Sequence, residues 1–218
     1  MSIRVASNTR EEARHWLPSQ GVDPAPLAEL NAECLGLLVL RATDTDCTGM
    51  LPPLLASLRE QWASLSAHAV RRLAGAPFTL FDAGLASAPR WLEVRSRGVH
   101  ENAQRAEPGY FEPAAARSIT RRMLVYGWHL ARSRPRAACL VFGSTISTVE
   151  SLAACSLAAL EAAAERNAEA LRPRWTHQGA FWGELLAASS AGADKRLQEL
   201  LLGGIQRLAA ETLTAHAP

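Results

Sequence analysis

Apolar residues recur along this chain at helical steps of three and four, and the strict alternation of a half-buried strand is nearly missing. Leu27, Leu30, Cys34, Leu37 and Leu38 predict a helix from Asp23 to about Leu40, with Asp23 as its cap and Pro24 at its first position. Leu54, Leu58, Trp62 and Leu65 predict a second helix over Leu51 to Leu65, with Pro52 and Pro53 in its first turn. Ser66 is placed to cap a third through Ala74, stopped by Gly75-Ala76-Pro77. Phe78 to Phe81 is apolar but short, and reads as a strand or as extended core. Further on, a long helix is expected from Pro113 to Ser133, and a shorter one from Pro135 to near Gly143. Two more are expected behind the caps Ser147 and Ser156. Leu171 to Trp175 reads as extended or turn-like. Gly179 to Ala188 and Asp194 to about Thr212 close the chain as helices, the last with Leu197, Leu200, Leu201, Ile205 and Leu208 on its stripe. In the N-terminal region, short helices are expected behind Asn8 or Thr9 and behind Ser87, the latter holding Trp91.

The expected class is therefore all-α, a multi-helix globular domain. A division into two pseudo-repeated halves is open: an apolar helix precedes LSAHAVRRLAGAPFTLFD in one and SLAALEAAAERNAEALRPRW in the other, each followed by a tryptophan. Leu65 would then match Leu157, and Leu38 would match Leu130. The alternative is that any two Ala/Leu-rich helical stretches align this well. Val94 to Gly109 is the most polar internal stretch and reads as an exposed connection. The corresponding division is an N-terminal half 1–93, a polar linker 94–112 and a C-terminal half 113–218.

With 218 residues, 48% of them hydrophobic, the chain can bury a core without staples. A net charge of +2 does not by itself call for a nucleic-acid partner. Lys195 is the only lysine, so nearly all the basic residues are arginines. A GC-rich bacterial genome explains this as well as selection for phosphate or carboxylate forks does, so only local clusters carry information. Cys34, Cys47, Cys139 and Cys155 form no CxxC pair and no zinc spacing; Cys34, Cys139 and Cys155 read as buried thiols. No signal-peptide core and no apolar run of membrane-spanning length is seen, so a cytoplasmic protein without metal or cofactor is expected.

Sequence signatures of hydrolases, P-loops, dinucleotide sites and zincins are missing. His129 beside Trp128 reads as structural or interfacial, Asp82 before Gly84 as a turn residue, and Gly203-Gly204 as a close helix contact. Arg132, Arg134 and Arg136 lie between two helices, Arg121 and Arg122 precede them by three turns, and Arg172 and Arg174 flank Pro173. If the fold gathers Arg132, Arg134, Arg136, Arg172 and Arg174, they form a phosphate-contacting surface; otherwise they are solvated cations, welcome near a helix C-terminus. Ser147 to Arg166 has helix–turn–helix length, but its second helix offers Ala158, Ala159, Glu161 and Ala162, a poor face for reading bases.

The block LVYGWHLARSRPRAACLVFGSTISTVESLAACSLAALEAAAERN resembles the FlhD-like flagellar transcriptional co-activator family. The likeness is carried by Leu130-Ala131, Ala137-Ala138, Phe142-Gly143, the run from Leu152 to Leu157, and Ala164-Glu165 with Asn167. Arg174, Leu185 and Gly204-Ile205 follow in similar order, and Leu30-Asn31 is similar to that family's first helix. The resemblance implies an all-α, dimer-forming co-activator that reaches DNA through a partner bearing a four-cysteine zinc site. That zinc site is missing here, which fits the co-activator side of the pair. The chain is about twice the family's length, which one chain holding both halves of a dimer would explain. The expected function is thus a bacterial, non-enzymatic regulatory or adaptor protein acting on a protein partner or on a second copy. Trp128, Leu200, Leu201 and Ile205 are its candidate interface residues. The alternatives are an accessory protein of a type III secretion apparatus and a helical enzyme with an unrecognised site.

Overall fold

The computed structural model describes residues 23–44, 51–85 and 108–214. The expected helices behind Asn8 and Ser87, Cys47 and most of the proposed linker lie outside them. Ten α-helices and two very short strands make up the described chain. Helix α1 is Ala25–Thr43, α2 Pro53–Ser57, α3 Arg59–Ala63 and α4 Ala67–Ala74, followed by β1, Phe81–Asp82. Helix α5 is Pro113–Ser133, α6 Pro135–Phe142, α7 Ile146–Ala153 and α8 Leu157–Asn167; a 3-10 turn, Ala168–Ala170, leads to β2, Arg172–Pro173. Helices α9, Gly179–Ser190, and α10, Asp194–Thr214, follow. The class is all-α, and the sheet is one antiparallel pair of two residues each.

Local chemistry sets the boundaries. Asp23 accepts the Ala25 N–H through Oδ1 at 3.0 Å, so the first helix starts two residues after its acid and runs on to Thr43. Its buried stripe takes Leu35 where Leu37 was expected, and Leu37 is only partly buried. The predicted helix over Leu51 to Leu65 is instead two, broken at Leu58 (φ −119°, ψ 21°). Five residues a side is too short for propagation to hold the joint straight, so tertiary contacts decide its angle. The Arg59 guanidinium reaches back across the joint to the carbonyls of Ala42 and Asp44. Ser66 and Ser156 cap α4 and α8 as expected. The cap of α7 is Thr145, not Ser147: Thr145 Oγ1 accepts the Thr148 N–H at 3.2 Å, while Ser147 Oγ only pairs with Thr145 Oγ1.

The helix order and contacts are consistent with two helical halves. In the first, long α1 packs on α3 and α4; in the second, long α5 packs on α7 and α8. Each long helix is followed by a short one that opens with proline, α2 at Pro53 and α6 at Pro135. The strands pair Phe81 with Pro173 and Asp82 with Arg172. Leu65 directly precedes its cap Ser66, whereas Leu157 directly follows its cap Ser156. Accordingly Leu65 is buried and Leu157 is exposed, whereas Leu38 and Leu130 are both buried.

One hydrophobic core runs through both halves. Trp182 of α9 packs between Trp62 of α3 (5.5 Å between ring centroids) and Phe81 (6.2 Å). Phe81 also meets Phe111 edge-on at 5.9 Å, and Tyr110 and Phe111 are buried. Of the described end of the proposed linker, 108–112, Tyr110 and Phe111 therefore belong to the core, while Gly109 and Glu112 are exposed. Among the described residues no helix is long and apolar enough to cross a membrane.

Candidate functional site

Arg174 leaves the set of phosphate-contact candidates, because its side chain is buried at the junction of the halves. Nε donates to the Thr79 carbonyl at 2.7 Å, and Nη2 donates to Thr79 Oγ1 at 3.0 Å and to the Phe142 carbonyl at 2.6 Å. Burial pulls its guanidinium below the usual arginine range, and the charges of Asp82 and Glu211 oppose that shift. Its carbonyl accepts the Trp182 indole N–H at 2.6 Å, so the residue orients the aromatic cluster. Arg172 is exposed on β2, paired in register with Asp82. Asp82 serves the turn that was expected of it, accepting the Gly84 N–H through Oδ1 at 3.1 Å.

Leu200 and Leu201 are not a free interface. They are 8% and 9% exposed, part of the stripe that α10 lays on its own core, and Ile205 packs against the same core. The exposed leucine of that turn is Leu202. Trp128 is half-buried on α5, with its indole N–H donated to the Cys155 carbonyl at 3.0 Å. That bond fixes the turn between α7 and α8 beside α5.

The α5–α8 edge is the surface that sequence reasoning missed. The two helices run antiparallel in a register marked by ion pairs, Arg117 with Glu165 at 3.6 Å and Arg121 with Glu161 at 2.6 Å. Each pair lies four residues from the next on both helices, one turn along the facing sides. The next step of four sets Val125 against Leu157. Both are exposed, 38% and 59%, so the ladder changes there from charged to apolar at the surface. One turn further, the Arg132 guanidinium lies over the Trp128 ring, 4.7 Å from its centroid. The signal was present as Arg/Glu spacing on two helices, but only the pairing of the helices shows that the acids are spent on Arg117 and Arg121.

Arg132, Arg134 and Arg136 stay together where α5 meets α6, and none forms an ion pair with a described residue. Arg134 ends α5 and caps α6; Arg136 lies in the first turn of α6, a turn without an acidic residue. Arg132 and Arg134 lie at the C-terminal end of α5, whose negative partial charge favours cations, while Arg136 lies at the positive N-terminal end of α6. Arg122, in contrast, pairs with Glu33 of α1. His129 is exposed. Burial pushes the thiols of Cys139 and Cys155 up from their ordinary range, with Glu150 adding to the effect at Cys139.

A cleft of about 530 Å³ opens beside α9 and α10, lined by His177, Glu184, Arg196, Glu199, Phe181 and Arg207 among others. Its charges are largely spent on one another: Arg196 bridges Glu184 and Glu199, and Arg207 lies over the Phe181 ring at 4.5 Å. Among the described residues no group of three or more His, Cys, Asp or Glu is placed to hold a metal ion. No protein-family model matches the chain, and neither a curated protein nor a solved structure does.

Proposed function

We propose that this protein is a regulatory or adaptor protein, of the co-activator kind, that works by binding another protein through the α5–α8 edge. The supporting observation is the exposed Val125–Leu157 rung, continued by Trp128 under Arg132. Tryptophan and arginine beside exposed aliphatic side chains are the residue types that dominate association energies when a partner excludes water from them. The indole is already oriented by its bond to Cys155, so little side-chain freedom is lost on binding.

Full-length wild type and a Val125→Glu/Leu157→Glu variant, matched in circular dichroism and melting temperature, form the test. The variant is expected to lose association with the partner that wild type retains from the cell that encodes it. Equal retention by both chains refutes the proposal. Recovery of that partner on DNA supports the co-activator setting, and recovery with the membrane fraction and secretion components supports the secretion-accessory setting.

A further inference from the structure

We infer that the occupant of the α5–α8 edge is an amphipathic helix of a partner protein that turns acidic residues toward the α5–α6 corner. This rests on the association reading above and names the chemistry of the partner. Val125, Trp128 and Arg132 lie at steps of three and four on α5, and Leu157 lies across from Val125 on α8, so the edge has the periodicity of a helix. A helix laid along it covers the apolar rung with its own stripe and ends over the corner of Arg132, Arg134 and Arg136.

The charge of that corner selects the occupant. The other arginines of α5 each have an acidic partner: Arg117 and Arg121 pair with Glu165 and Glu161 of α8, and Arg122 with Glu33 of α1. The three corner arginines have none among the described residues. Glu150, an exposed carboxylate on α7, is near enough for its charge to act on Cys139, one turn past Arg136. Unpaired like charges beside an apolar centre disfavour a basic partner and steer an acidic one. A nucleic acid fits less well, because Val125 and Leu157 offer phosphates and sugars no polar contact.

Two labelled synthetic helices with the same leucine stripe, one flanked by glutamates and one by lysines, are titrated onto the full chain by fluorescence anisotropy. The acidic helix is expected to bind about tenfold tighter or more. Arg132→Glu/Arg136→Glu should reverse that preference, and Leu157→Ser should weaken both helices. Equal binding of the two helices, or a preference that survives the charge reversal, overturns the inference. Displacement by duplex DNA at low salt, with binding indifferent to Leu157→Ser, gives the corner to phosphates and also overturns it. In parallel, a photo-reactive phenylalanine at position 157 is cross-linked in the cell that encodes the protein. A cross-link to a different protein without charge preference sinks only the acidic helix. A cross-link to a second copy or within the same chain, or to no protein, sinks the association reading itself.

Discussion

Arg174 Nη2 donates to the Phe142 carbonyl at 2.6 Å, while its Nε and Nη2 reach back to Thr79 in the other half of the chain. One buried cation thus ties the end of α6 to the segment before β1. Removing it leaves the Thr79 carbonyl without a donor and takes the shorter of two donors from the Phe142 carbonyl, while Thr79 Oγ1 keeps its bond to the Val141 carbonyl. Arg174→Met is expected to lower unfolding free energy by about 3 kcal/mol or more, read from urea midpoints. Arg172→Met, on the exposed neighbour, should change it by about 0.5 kcal/mol or less. Similar losses for the two would show that the buried network is not formed.

Asn31 makes the equivalent connection inside the first half. Its amide donates to the Phe78 carbonyl at 3.0 Å and to the Ala74 carbonyl at 3.3 Å, and its Oδ1 accepts the Leu80 N–H at 2.9 Å. Asn31→Leu keeps the branched outline of the side chain and removes all three bonds. A loss of about 2–4 kcal/mol in chemical denaturation is expected. Asn31→Asp would set a carboxylate against the Ala74 and Phe78 carbonyls at a buried position and should cost at least as much at neutral pH.

Gly143 ends α6 in the left-handed region (φ 56°), and a Cβ there would come within 2.6 Å of Leu208 Cδ2. Gly143→Ala combines backbone strain with a clash, and a melting temperature lower by several degrees is expected, about 2 kcal/mol or more. Gly204 gives a second comparison, because its Cβ would stand 2.5 Å from Phe78 Cζ, whereas Gly203 faces open space. Gly204→Ala should destabilise, and Gly203→Ala should be neutral or slightly stabilising through helix propensity. A reversed order would contradict the packing of α10 on Phe78.

Cys34 is fully buried in α1, and burial raises its thiol well above the ordinary value of 9.0. The folded state therefore holds the proton that the unfolded state releases. The stability from this group is complete below pH 9 and falls as pH rises beyond it, by at most about 1.4 kcal/mol per pH unit. Between pH 9 and 10.5, wild type should lose stability more steeply than Cys34→Val, measured by urea unfolding. Site-resolved alkylation should modify Cys34 only on unfolding, with Cys139 and Cys155 slow but reactive in the native protein.

Helix content was written in the chain itself, because burial of an apolar stripe needs only the spacing of residues on one helix. Ser66 and Ser156 announced their helices, since a cap bonds to a backbone three residues away. The break at Leu58 was not legible, because two helices of five residues take their angle from what they pack on. Neither was the fate of the arginines. Arg172 and Arg174 read alike in sequence, and only the tertiary contacts with Thr79 and Phe142 bury Arg174 while Arg172 stays exposed. Leu200 and Leu157 were both apolar helix positions. Tertiary packing alone decided that α10 spends Leu200 on its own core while α8 leaves Leu157 at the surface, next to Val125 from a helix more than thirty residues earlier. A side chain's periodicity names the face it shares, but whether that face is covered depends on distant parts of the chain.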